Sequence, residues 1–201
     1  MKKRLDVGRL RERVCRRLYE SAEVKRRVAE DCMNDVLSCA ELIAERFSAG
    51  GKLLLCGNGG SAADCQHMAT EFVGQLSRQL TRPGLPAVAL TTDTSFLTAH
   101  SNDVKFEEVF SRQVQALGKP GDILIGISTS GNSLSVVRAI ETARTMKLHT
   151  VALTGCGGRL AHIVDIAICV SSDNTQYVQE AHIAIEHIVC ELVESHMFGE
   201  E

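Results

Sequence analysis

The chain has 201 residues and a formal net charge of −3, with 44% hydrophobic and 23% charged residues. Those proportions suit a globular domain with one sizeable core and exclude a general basic field for nucleic acid. No apolar run approaches the ~18 residues of a membrane span.

The start, "MKKRLDVGRLRERVCRRLYE", is cationic but leads into no apolar stretch, so it reads as an exposed helix face rather than a secretory signal. Apolar spacing of helical period runs from about 8 to 48 and puts Val36, Ala40, Ile43 and Phe47 near one face. "SAGGK" stops that helix. "KLLLCG" is the first strand, with the unbroken apolar run of a strand covered on both faces. "GNGGSAADCQHMATEFVGQL" is a glycine turn and a helix. "RPGLPAVALTT" is a loop and a second strand, followed by helical stretches over 94–101 and 105–117. "GDILIGIS" is the third strand and "NSLSVVRAIETARTMK" its helix. "HTVALTG" and "VDIAICV" are strands four and five, and a long helix closes the chain. Alternating buried strands and helices predict an α/β three-layer sandwich around a five-stranded parallel sheet. The N-terminal helices over 1–48 and the C-terminal helix carry surplus apolar residues, which predicts a homo-oligomer.

The eight cysteines contain no CxxC pair and no zinc-finger spacing. Cys56, Cys169 and Cys190 sit in apolar runs and read as reduced core thiols of a cytoplasmic protein. Cys65 and Cys156 flank glycine turns, with no base placed beside either.

In open parallel sheets, ligands bind beyond the carboxyl ends of the strands. Two such ends stand out. "CGNGGSAAD" offers Asn58, Gly59, Gly60 and Ser61, where glycines allow close backbone approach and a helix start offers free N–H groups. "STSGNS" places Ser128, Thr129, Ser130 and Ser133 within six positions. It lacks the lysine of a Walker loop and the spacing of a dinucleotide loop. Hydroxyls at a helix start suit one phosphate monoester; the plainer alternative is that Asn132 or Ser133 caps the helix.

"CGNGGSAADCQHMATEF", "SNDVKFEEVFSRQV", "GDILIGISTSGNS" and "VQEAHIAIEHI" together resemble the sugar isomerase (SIS) domain family over nearly the whole chain, and within it the phosphoheptose isomerases. The resemblance implies a single SIS domain over 1–201 with a flavodoxin-like sheet. It implies conversion of sedoheptulose 7-phosphate to D-glycero-D-manno-heptose 7-phosphate, in the supply of ADP-heptose for lipopolysaccharide, by a cytoplasmic homotetramer. It also implies contacts to substrate from Asn102 and Asp103, which read locally as an Asx turn.

His67 and Glu71 lie one helical turn apart, and Gln179 and His187 share a broad face of the last helix. A lone His-x-x-x-Glu is most often an exposed pair. The resemblance places the family's zinc ligands on His67, Glu71, Gln179 and His187, one Zn²⁺ per subunit. Gln179 and His187 are ~12 Å apart along their helix, so they reach toward each other or come from different subunits. Moving a proton from C1 to C2 through an enediol needs a base and an acid. Glu71 is assigned as the base and His187 as its partner, with the serine loop and Gln179 on the substrate. His182 receives no role. Two rivals stand beside this reading: a non-catalytic SIS regulator that binds phosphosugars, for which the four polar residues would be superfluous, and a SIS enzyme for another phosphosugar.

Overall fold

The computed structural model describes residues 6–76 and 81–199. Helices α1 (Val7–Asp31) and α2 (Met33–Ser48) precede the first strand. The N-terminal helices expected over this stretch are these two, which meet at Cys32. The face expected to be apolar is buried at Val36, Ala40, Ile43 and Phe47. Strand β1 (Leu53–Gly57) leads to α3 (Gly60–Val73), β2 (Ala87–Ala89), α4 (Thr94–Asp103) and α5 (Val109–Leu117). A 3₁₀ turn at Phe106–Glu108 takes the start of the stretch expected as one helix over 105–117. Then come β3 (Ile123–Ser128), α6 (Leu134–Thr145), β4 (His149–Thr154), β5 (Ile166–Cys169) and α7 (Thr175–Phe198).

The five strands are all parallel, in the order β2-β1-β3-β4-β5. Alternation along each strand splits the core into two layers. Leu53, Leu55, Ile123, Ile125, Ile127, Val151 and Leu153 pack toward α2, α3 and α7. Leu54, Cys56, Leu124 and Ala152 pack toward α5 and α6 on the other face. This double burial is why the strands read as continuous apolar runs. Cys56 and Cys190 are buried as expected, whereas Cys169 is only half-buried; all eight thiols are free.

The order places β1 beside β3, with their following helices on opposite faces. That is the switch point where an open sheet leaves a crevice at its carboxyl edge. The two loops singled out from sequence, 58–60 and 129–133, flank this crevice.

Candidate active site

The turn after β1 depends on Gly59, whose φ of 58° is a backbone state that side chains disfavour. It starts α3 with no side-chain cap, so the Gly60 and Ser61 N–H groups stay available, while those of Ala62 and Ala63 bond the Gly59 carbonyl. Ser61 is buried in that turn. Asn58 Nδ2 donates to Ser135 Oγ across 2.9 Å, tying this loop to the first turn of α6.

The loop after β3 is organised by Asn132. Its Nδ2 donates to the Ser130 carbonyl (2.9 Å), and its Oδ1 accepts from Arg159 N (3.0 Å). Gly131, with φ 64°, packs against the Gly157 carbonyl and leaves no room for a side chain. Ser133 is the N-cap of α6 by position, yet its hydroxyl makes no cap bond. It accepts instead from Ser128 Oγ at 3.1 Å, and Ser130 Oγ lies 3.5 Å from Ser128 Oγ. The plainer expectation, a capping Asn132 or Ser133, is therefore not what these side chains do. Three hydroxyls cluster at a helix start instead.

On α3 the next turns carry the titratable groups. His67 Nε2 lies 2.7 Å from His187 Nε2 and 3.6 Å from Glu71 Oε1. The ligand atoms of His67, Glu71 and His187 all fall within 4.8 Å of one another. His187 comes from α7, 120 residues further along the chain. Gln179 reaches the first turn of α3, where a methyl group on Gly60 would collide with its amide. Asn102 and Asp103 are exposed in the last turn of α4, with Asn102 Nδ2 donating to Asp103 Oδ1 at 2.8 Å.

The resemblance implies Zn²⁺ at this donor set. The two imidazole nitrogens, 2.7 Å apart, are within hydrogen-bonding distance of each other. Two imidazole nitrogens and a carboxylate oxygen also form an ordinary ligand set for Zn²⁺. The three residues fit the ion; Gln179 joins them only across the length of two helical turns or from another subunit.

Behind this set lie polar groups that sequence reading left without a role. Burial pushes the Asp64 carboxyl up to about 6, against the opposing pull of His67. Glu186 is buried with both carboxylate oxygens unpartnered. Burial first, and Asp64 second, push it up to about 9, so it is protonated at neutral pH. His182 is fully buried, and desolvation lowers it to about 4. Its neutral ring therefore donates from Nε2 to the Thr154 carbonyl, 3.2 Å away, and ties α7 to the carboxyl end of β4. Asn132 was legible in "STSGNS" only as a candidate helix cap. His182 carried no local signal of its partner, because that partner is a backbone carbonyl 28 residues away.

The SIS domain family matches residues 18–155. A phosphoheptose isomerase of Roseiflexus sp. (strain RS-1) is 56% identical over 181 residues, 90% of this chain and 91% of that protein. One from Chlorobaculum parvum is 51% identical over 195 residues, 94% of this chain and 92% of the other. This chain belongs to the phosphoheptose isomerase family of SIS-domain proteins. A solved phosphoheptose isomerase of Neisseria gonorrhoeae superposes with a TM-score of 0.87 at 44% identity, covering 92% of this chain and 99% of that one. The family fold is thus the five-stranded sheet described above, and the family's enzymatic character favours the isomerase reading over the regulator.

Proposed function

We propose that the chain is an aldose–ketose isomerase that converts sedoheptulose 7-phosphate to D-glycero-D-manno-heptose 7-phosphate. The observation that carries this reading is the meeting of His67, Glu71 and His187 from two helices, on the helix that begins at the switch-point crevice. A sugar lying across the crevice would have its phosphate at the hydroxyl loop and its carbonyl end toward α3.

The phosphate would be held by Ser61, Ser128, Thr129, Ser130 and Ser133 and by the free N–H groups of Asn58, Gly59 and Gly60. Such remote binding energy positions the sugar for reaction. Glu71 takes the proton from C1, forming the enediol, and His187 handles the proton exchanged between the sugar oxygens. The proton then returns at C2. His67, Glu71 and His187 would hold Zn²⁺, one per subunit, with moderate affinity and one ligand position exchangeable, so that Glu71 is free to act as the base, and the ion would polarise the sugar carbonyl. Gln179, at the first turn of α3, stands with the substrate groups in its own subunit. As a fourth metal donor it would come from a neighbouring one, as Asn102 and Asp103 would for the substrate.

A homo-oligomer, a tetramer by family resemblance, agrees with the apolar groove between α1, α2 and α7, which is lined by Val28, Met33, Leu37, Ile185 and Ile188. Among the described residues no helix is long and apolar enough to cross a membrane. A cytoplasmic place at the start of ADP-heptose supply completes the proposal.

The test is to incubate the purified protein with sedoheptulose 7-phosphate and separate the isomers. An aldoheptose phosphate is expected; its absence with metal-loaded protein overturns the reading. Chelation should lower the activity and Zn²⁺ restore it, with metal content and activity falling together in His67→Ala. Full turnover by metal-free protein would remove the ion from the proposal.

A further inference from the structure

The reactive set is divided between two helices, so its geometry depends on how α3 lies against α7. One side chain joins them at the far end of α3. The Arg82 side chain is wholly buried, with 0% exposure. Its Nη2 donates to the Glu71 carbonyl at 2.7 Å, and its Nη1 donates to the carbonyls of Phe72 (2.8 Å) and Pro83 (2.9 Å). Its Nε and Nη2 reach Glu194 Oε1 on α7, at 2.8 and 2.6 Å. The same carboxylate oxygen accepts from Leu76 N at 3.1 Å.

The last carbonyls of a helix have no intrahelical partner, and a cation there also complements the dipole. Arg82 supplies both to α3. Only a guanidinium presents donors in a fixed planar fork that meets three carbonyls and a carboxylate at once. Glu194 lies seven residues after His187, about two full turns, so the two side chains share one face of α7. The clamp thus grips the backbone of Glu71 itself on one side and the face of His187 on the other.

We propose that Arg82 and Glu194 are positioning residues that set Glu71 and His67 against His187. This rests on the isomerase reading above. A brace that served stability alone would behave like the Lys52–Asp122 pair, at the same amino-terminal edge of the sheet but away from the reactive helices. There Asp122 pairs with the Lys52 ammonium and accepts from Lys52 N (3.0 Å) and Lys119 N (2.8 Å), joining the starts of β1 and β3.

The experiment compares Arg82→Lys, Glu194→Gln and Asp122→Asn with wild type. Glu194→Gln keeps a carbonyl acceptor and provides a second, milder variant where Arg82→Lys does not fold. Melting temperature, kcat, KM for the heptose phosphate, inhibition by inorganic phosphate and Zn²⁺ affinity by chelator competition are measured. The clamp variants should lose kcat on the order of 10- to 100-fold, the cost of a misplaced reacting group. KM and phosphate inhibition should stay within about twofold, because the phosphate loops lie at the other end of α3. Asp122→Asn should lower the melting temperature and leave kcat unchanged. The Zn²⁺ titration needs no turnover, so an inactive wild type would sink the substrate reading while the clamp is still tested by weakened Zn²⁺ binding in its variants alone. Clamp variants that match Asp122→Asn in both kcat and Zn²⁺ affinity would overturn the proposal.

Discussion

The helices of this protein treat their first turns in two ways. Asp6 accepts from Arg9 N, Asp93 from Phe96 N and Asn174 from Gln176 N, so α1, α4 and α7 satisfy a terminal N–H with their own side chains. Helices α3 and α6 have no such bond. Helices α2 and α5 lack one too, but each continues directly from a preceding helical segment. Helix α3 begins at a glycine that has no side chain to offer, and α6 at a serine whose hydroxyl turns to Ser128 instead. Both start at the carboxyl edge of adjacent strands. Local hydrogen-bonding capacity is thus left open at the switch point and closed at the capped helices. An anion in the crevice would meet the N–H groups and positive dipole ends of α3 and α6 together.

The largest test of this contrast separates binding from chemistry. Glu71→Gln leaves both helix starts intact and replaces only a proton acceptor by a near-isosteric amide. It should cost about 100-fold or more in kcat, the lower range for a general acid–base group, while inhibition by inorganic phosphate persists. Near wild-type turnover would show that another group takes the proton.

The converse variant removes the hydroxyls and keeps the acid–base set. Ser130→Ala with Ser133→Ala should raise KM for the phosphosugar about 10-fold or more and weaken phosphate inhibition in parallel. A hydrogen bond to a charged group is worth about 1.5–3 kcal/mol. If neither constant moves, the loop is a turn and nothing else.

How much of this was legible from sequence follows the range of the interactions. The sheet and its helices were readable because strand burial and helix period are local patterns. The break at Cys32 was not, because apolar spacing continues on both sides of it. The His67–Glu71 pair was visible as a one-turn spacing, but its meeting with His187 depends on how α3 packs on α7. The Gln179 amide was grouped with that pair by resemblance, and the fold sets it beside Gly60. Arg82 and Glu194 left no signal at all. Their roles rest on carbonyls and a carboxylate brought together across more than 100 residues.

The smallest effect gives the sharpest comparison, because two single substitutions should divide in opposite directions. Asp93→Ala removes a cap bond of 2.9 Å to Phe96 N, and losing such a cap costs about 1 kcal/mol. It should lower the urea midpoint and leave KM and phosphate inhibition alone. Ser133→Ala removes no cap bond, and Ser128 keeps Ser130 as a hydroxyl neighbour. Its stability should therefore stay within about 0.5 kcal/mol of wild type, the range of a substitution that breaks no structural feature. Its phosphate inhibition should nevertheless weaken. Equilibrium unfolding and phosphate inhibition, measured on both variants, decide the matter. Were Ser133→Ala to lose as much stability as Asp93→Ala with unaltered phosphate inhibition, the hydroxyl would be serving the helix and not a ligand. The difference between capped and open helix starts would then carry no functional meaning.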